Sequence, residues 1–264
     1  MPECQTMTDC LVKASNITCP HAFSTRLGGV SEGEFRSLNL GRLDFDDPEK
    51  VAENWRIFGA AAGIDTARFV HGHQVHGNTV HIVTEENAHG ILEPANLDPA
   101  DGYVTNQPGV PLGIFTADCA PLVMHEPAAG VVAAVHSGWR GAAADIGGEA
   151  VKKMERLGAS RKEIRAAIGP CIHKCCFQVG AEVIDAMEAL LGGETEGLYA
   201  PDSAAPGKFR LDLPGVIKRR LSQLGLREEN IEILDECTMC RPDKYWSHRA
   251  MGLHRGSQAS IIML

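Results

Sequence analysis

Long apolar runs are missing from this sequence. No stretch approaches the roughly 18 residues of a membrane-spanning helix, so no membrane partner is expected. The N-terminus, "MPECQTMTDCLVKASN", lacks a basic start followed by an apolar core and does not read as a secretory signal. Positive charge is also scarce: 25 Lys and Arg face 34 Asp and Glu, a formal net charge of −9. That balance argues against a broad interface to a phosphate backbone, so no nucleic-acid partner is expected, while a local basic pocket for a small anion stays open. There is no internal repeat, no low-complexity block, and no Walker or dinucleotide-binding glycine pattern.

What is present is ordinary for a globular protein. The 264 residues are 44% hydrophobic and 22% charged, enough for one sizeable core. The 28 glycines and 14 prolines are dispersed rather than pooled in a linker. One continuous domain over residues 1–264 is therefore expected, with about residues 1–15 peripheral. Nine cysteines, an odd number at uneven spacings, are read as mostly reduced thiols, which together with the missing export signal places the protein in the cytoplasm.

Strand and helix signals alternate, broken by hairpin-like pairs. "NTVHIV" (78–83) alternates as a strand does. "GVPLGIFTADCAPLVMH" reads as one or two buried strands kinked at Pro121, and "GVVAAVH" (130–136) as another, with "EPAAG" a turn that makes an antiparallel hairpin. Helical composition runs from Arg140 to Leu157 and is followed by a capping glycine. Two more helices carry apolar stripes, Val183-Met187-Leu190-Leu191 and Leu213-Val216-Ile217-Leu221-Leu224. "IRAAIGPCI", "NIEILDEC" and "QASIIML" are strands. The expected class is α+β, a single domain with mixed β-sheets flanked by helices in layers.

Two residues interrupt these apolar strands, Cys119 and His136, seventeen positions apart. A hairpin brings strand ends together, so a thiol and an imidazole at this spacing can meet. They suit a nucleophile and its base, or two ligands of a metal such as zinc. They also suit a buried thiol beside a satisfied polar end. A third ligand is within easy reach in "FVHGHQVHGNTVHIV", which offers His71, His73, His76 and His81; spacing alone does not choose among them. One thiolate and two imidazoles leave an open position on a tetrahedral ion, the pattern of a catalytic zinc. Asp118, next to Cys119, is a candidate to orient a ligand or move a proton. The polar loop "HAFSTRLGGVSEGEFRSLNLG" (21–41) offers Arg26, Asn39 and backbone N–H groups to an anion, and Arg140 offers a second guanidinium. Cys237 and Cys240 form a lone C-x-x-C, and "CIHKCC" carries Cys171, His173, Cys175 and Cys176. No second pair stands at ribbon-like spacing, so these thiols are expected to pack as small hydrophobes rather than hold a metal.

Several motifs occur together in one order: "HAFSTRLGGVSEGEFRSLNLG", "DDPEKVAENW", "QVHG", "ADGYVTNQPGVPLGIFTADCAPL", "AAVHSGWRG" and "AAIGPCI". This order resembles the laccase-domain family, also described as multicopper polyphenol oxidase-like, peptidoglycan editing factor and purine nucleoside phosphorylase proteins, from about His21 to the C-terminus. The resemblance implies a layered mixed fold and a metal held by His76, Cys119 and His136, zinc with copper as the alternative. It implies purine nucleoside chemistry: phosphorolysis of adenosine, inosine and methylthioadenosine, a transferase reaction, and deamination of adenosine, a hydrolase reaction. Cys119, His136, Asp118 and Arg140 are then the expected catalytic group, and a small purine nucleoside and phosphate the expected partners. The alternatives it carries are copper-dependent phenol oxidation and hydrolysis of a peptidoglycan precursor through Cys119. A multicopper oxidase needs more clustered histidines than this chain offers beyond His71-x-His73. The chain departs from the family pattern at His248, where tyrosine is usual, and at Ser257 after Gly256, which leaves substrate preference open.

Overall fold

The computed structural model of the chain describes residues 9–41 and 45–264. Two strands, β6 (Ala120–Glu126) and β7 (Val131–Ser137), are buried at every position. Their side chains alternate between two cores. Leu122 and Met124 join Val131, Ala133 and Val135 in one; Val123 joins Val132 and Ala134 in the other. Strands apolar on both faces must lie between two layers. β6 and β7 accordingly pair as an antiparallel hairpin at the centre of a six-stranded sheet. Its order is β12 (Ile231–Ile233), β8 (Arg165–Ile168), β6, β7, β4 (Gly102–Thr105), β3 (Val80–Ile82). The outer pairs β12/β8 and β3/β4 are parallel and the inner ones antiparallel, so the sheet is mixed.

A second, antiparallel sheet of four strands runs β1 (Leu11–Val12), β2 (His21–Ser24), β13 (Gln258–Ile262), β5 (Leu112–Thr116). Its inner face meets the first sheet through Phe23, Leu112, Ile114 and Ile262. Its outer face packs Ala22, Ala259 and Ile261 against Val51, Trp55 and Phe58 of helix α1 (Pro48–Ala62). That helix starts where Asp47 accepts the Glu49 N–H and Pro48 fits the first turn, and it stops at Gly63 in the left-handed region. On the far side of the six-stranded sheet lie α2 (Trp139–Ala143), α3 (Ile146–Arg156), α4 (Ala181–Leu191) and α5 (Leu213–Gln223). The layers are thus helix, sheet, sheet, helices, and the class is α+β with mixed sheets, as the sequence pattern indicates.

Three local expectations change. The stretch around "TADC" breaks not at Pro121, which sits inside β6 opposite His136, but at residues 117–119, where Asp118 has a φ of 83°. There the chain leaves one sheet for the other. The helix expected from Arg140 onward is two helices, separated by Asp145 with a φ of 61°. Of the segment expected to be peripheral, residues 1–8 lie outside the described residues, and the described part supplies the edge strand β1, with Cys10 fully buried.

Candidate functional site

The site grows from the hairpin register. Ala120 pairs with Ser137 and Pro121 with His136, which sets Cys119 across from Gly138. A side chain on Gly138 would stand 2.9 Å from the Cys119 sulfur and 3.2 Å from His76 Cδ2. Glycine there is what lets the thiol and the "QVHG" turn converge. His76 enters with a φ of 60°, and its ring meets that of His136 edge-on at 4.7 Å. The donor atoms of His76, Cys119 and His136 all lie within 4.8 Å of one another. Ligand bonds of about 2.0–2.3 Å in a tetrahedron place donors some 3.4–3.8 Å apart. This set of one sulfur and two nitrogens therefore fits a single borderline ion. Of the histidines that spacing left open, His76 is the one the structure brings to the thiol. His71 instead packs between Phe69 and His89, and His81 faces the Asp98 carbonyl.

Asp101 organises the set, and sequence reasoning missed it. It is fully buried. Its carboxylate accepts the backbone N–H groups of Val75, His76 and Gly77, which fixes the turn that carries His76. Oδ1 lies 2.7 Å from His136 Nδ1, which holds the proton on that nitrogen and leaves Nε2 as the donor. The signal lay in "ADGY", directly before a strand that pairs with β7, but nothing in the spacing joins it to His136. Burial alone would raise the Cys119 thiol, but hydrogen bonds and charge from His136 and His76 outweigh it and bring the pKa down to about 6. Burial works to lower His136, but its bonds to Asp101 and Cys119 prevail and raise it to about 9. Both directions favour the thiolate, the form of cysteine that serves as a metal ligand.

The triad opens into a pocket of about 270 Å³. Trp139, Phe177, Ile172 and Leu213 form apolar walls, and His248, Arg249 and Arg255 form a basic rim. Asp118 lines it too, but its carboxylate is engaged: it accepts the Thr238 hydroxyl at 2.6 Å and the Arg249 backbone N–H at 2.6 Å. It ties the C-terminal segment to the thiol's strand. Arg140 is exposed and stacks on Trp139 at 4.4 Å. Arg26 and Asn39 sit elsewhere than expected. The Arg26 guanidinium bonds the carbonyls of Arg36 and Pro242 and lies 3.8 Å over Trp246, outside the pocket. Asn39 is buried and accepts the N–H groups of Gly41 and Ser257, so it positions the segment that bears Arg255. His248, itself a departure from the family pattern, and Arg249 and Arg255 line the pocket, and sequence reasoning gave none of the three a role in the site.

The family model described as "Multi-copper polyphenol oxidoreductase laccase" matches residues 20–264. The chain belongs to this laccase family. Its relatives carry a different activity in their names. The "Purine nucleoside phosphorylase" of Deinococcus radiodurans is 40% identical over 216 residues, 82% of this chain and 79% of that protein. The "Purine nucleoside phosphorylase YlmD" of Bacillus subtilis is 34% identical over 243 residues, 91% of this chain and 86% of that protein. Among solved structures, YlmD from Geobacillus stearothermophilus superposes with a TM-score of 0.87 at 29% identity, covering 97% of this chain and 98% of that one. The laccase-family fold is therefore shared along nearly the whole chain. Among the described residues, the histidine-containing donor group is the one triad, not the paired histidine sets of a multicopper centre.

Proposed function

We propose that the protein is a zinc-dependent purine nucleoside enzyme, which cleaves adenosine, inosine and methylthioadenosine with phosphate and deaminates adenosine with water. One observation carries this reading: the thiolate–imidazole triad opens into a pocket with aromatic walls and a basic rim. Trp139 and Phe177 suit the flat faces of a purine, and the guanidinium groups of Arg249 and Arg255 suit phosphate oxygens. The names of the relatives support the same chemistry. Copper suits a sulfur-and-imidazole donor set as well, and zinc is favoured because the open tetrahedral pattern is that of catalytic zinc sites. A reducing, cytoplasmic setting belongs to the reading, since Cys119 must stay a thiol.

In phosphorolysis a phosphate oxygen forms a bond to C1′ of the ribose and the C1′–N9 bond breaks. The base departs with that electron pair and takes up a proton. In deamination water adds at C6 of adenine and ammonia leaves. Bound zinc supplies Lewis acidity at the floor of the pocket. The protein's own groups do the rest of the positioning. Asp101 keeps the His136 proton on Nδ1, away from the metal-binding face. Asp118 holds Arg249 and Thr238 in place beside Cys119. Arg255, braced by its bonds to the Gly256 carbonyl and the Ser257 hydroxyl, presents positive charge to phosphate.

The test is a nucleoside panel on zinc-loaded protein. Free base should be released from inosine only when phosphate is present, and ammonia from adenosine without it. No turnover of any purine nucleoside, together with robust phenol oxidation by the copper-loaded protein, would reject this reading in favour of the oxidase.

A further inference from the structure

Four other cysteines meet on the opposite side of the pocket wall. Cys175 and Cys176 lie in a turn after β8; Cys237 and Cys240 lie in a turn after β12. β12 and β8 are parallel neighbours, so the segments that follow them emerge side by side. A bridge between Cys171 and Cys237 continues that pairing. The four sulfurs all fall within 4.8 Å of one another. Cys240 Sγ is 3.5 Å from Cys175 Sγ and 3.3 Å from Cys176 Sγ. No second pair stands at ribbon-like spacing, yet the fold brings one to Cys237 and Cys240. The pair exists, but it sits 64 and 65 residues away and as adjacent cysteines.

We propose that Cys175, Cys176, Cys237 and Cys240 bind a second zinc ion, which staples the two segments that build one wall of the pocket. Sulfurs around a tetrahedral zinc stand about 3.8 Å apart, from Zn–S bonds of about 2.3 Å. The two shortest spacings, 3.3 and 3.5 Å, fall slightly below that value and all four sulfurs lie within 4.8 Å, room for one ion rather than a multi-iron cluster. The backbone around the sulfurs is arranged as a thiolate cage requires. The His173 N–H points at Cys237 Sγ at 3.5 Å, and Arg210, ion-paired with Asp202, bonds the Cys175 carbonyl at 3.1 Å and fixes the backbone there. Cys175 and Cys240 are exposed, so an ion can reach the site from solvent. On binding, each thiol gives its proton to solvent and its sulfur to the ion.

The placement ties this site to the first one. Between Cys237 and Cys240 lies Thr238, whose hydroxyl donates to Asp118, the neighbour of Cys119. Just before Cys175 lies Ile172, whose N–H donates to the Asp118 carbonyl at 2.9 Å, and Phe177 follows Cys176 as a pocket wall. A four-thiolate ion therefore fixes both segments that hold Asp118, without touching the substrate. Its role is structural, and its ligands are positioning residues.

Metal content of protein purified under reducing conditions tests this directly. Wild type should carry about two zinc ions per chain. Cys240→Ser and Cys175→Ser should each lose about one, and Cys119→Ala should keep about one. Cobalt-loaded Cys119→Ala should show the intense sulfur-to-metal charge-transfer bands of a four-thiolate ion, which needs no folded Cys240 variant. Equal zinc content in wild type and Cys240→Ser would overturn the proposal. So would a cobalt spectrum without thiolate bands in Cys119→Ala. A disulfide from Cys240 to Cys175 or Cys176, found by mass spectrometry in the reduced preparation, would overturn it in favour of a redox pair.

Discussion

Asp101 Oδ1 stands 2.7 Å from His136 Nδ1, and the same oxygen takes the backbone N–H of His76 at 2.9 Å. One buried carboxylate thus aims two histidines of the candidate metal triad that are sixty positions apart. Asp101→Asn replaces one carboxylate oxygen by an N–H₂ group, which then faces either the Val75 and Gly77 N–H groups or the His76 N–H and the His136 imidazole. Zinc affinity of the triad, read by competition with a chromophoric chelator, should fall about 10- to 100-fold. An unchanged affinity would mean that Asp101 serves the turn alone.

Cys119→Ala should remove the triad's ion and nucleoside turnover together while the chain stays folded. The residue lies at a strand end, half-buried, and not in a hydrophobic cluster. Elemental analysis should show about one ion fewer than wild type, and circular dichroism a native spectrum. A full wild-type metal complement would dismiss the triad.

Gly138→Ala separates packing from chemistry. The backbone at Gly138, φ −69° and ψ 168°, accepts any residue. The added methyl nevertheless meets the Cys119 sulfur at 2.9 Å. Zinc affinity should drop at least about tenfold while the thermal midpoint changes by only a few degrees, since the strain is local. A large fall in the midpoint with normal affinity would show that the glycine serves the fold.

Arg26 and Arg255 should behave oppositely. Arg255→Ala should raise the KM for phosphate about ten- to a hundredfold, the worth of one charge-assisted contact. Arg26→Ala should leave that KM alone and cost about 1–2 kcal/mol of stability, because its guanidinium holds two carbonyls and covers Trp246. Phosphate titrations and urea unfolding of both variants decide. A phosphate defect in Arg26→Ala would restore the loop of residues 21–41 as the anion site.

His71 gives the protein an acid sensitivity unrelated to the metal. It is 7% exposed, lies 4.0 Å from the His89 ring, and its Nε2 has no hydrogen-bond partner. Burial first, then His89, lowers its pKa to about 4. In the unfolded chain it titrates near 6.5. Between the two values the unfolded state holds the proton and the folded state does not. Its contribution is therefore intact above about pH 6.5 and declines as pH falls toward 4. Metal-free protein should lose about 1–3 kcal/mol more than His71→Phe between pH 7 and pH 4.5 in urea titrations. Parallel curves would assign the acid loss to other groups.

The parts of this architecture that periodicity encodes were legible in the sequence. The buried hairpin, the two striped helices and the meeting of Cys119 with His136 follow from alternation and turn chemistry. The break in "TADC" was misplaced because Pro121 looks like a breaker. Pro121 is tolerated in β6 opposite His136, while the bend comes from Asp118, a residue type that enters the left-handed region more readily than most. His76 required the resemblance, since four histidines in eleven residues satisfy any spacing argument equally. Asp101 and the four-cysteine cluster were not legible. Each depends on strands that become neighbours only when the sheet is assembled, and no local pattern records that adjacency.

Asp118 marks the seam where the chain passes from the four-stranded sheet to the six-stranded one, and Cys119 of the triad is the very next residue. The distance between the two sheets is set by side chains such as Ile114 and Val132, far from any ligand. A change in that gap moves the strand end that carries Cys119 relative to the turn that carries His76. The core between the sheets is therefore the spacer of a caliper whose jaws are Cys119 and His76, and methyl-sized substitutions in it should register first as altered zinc affinity of the triad.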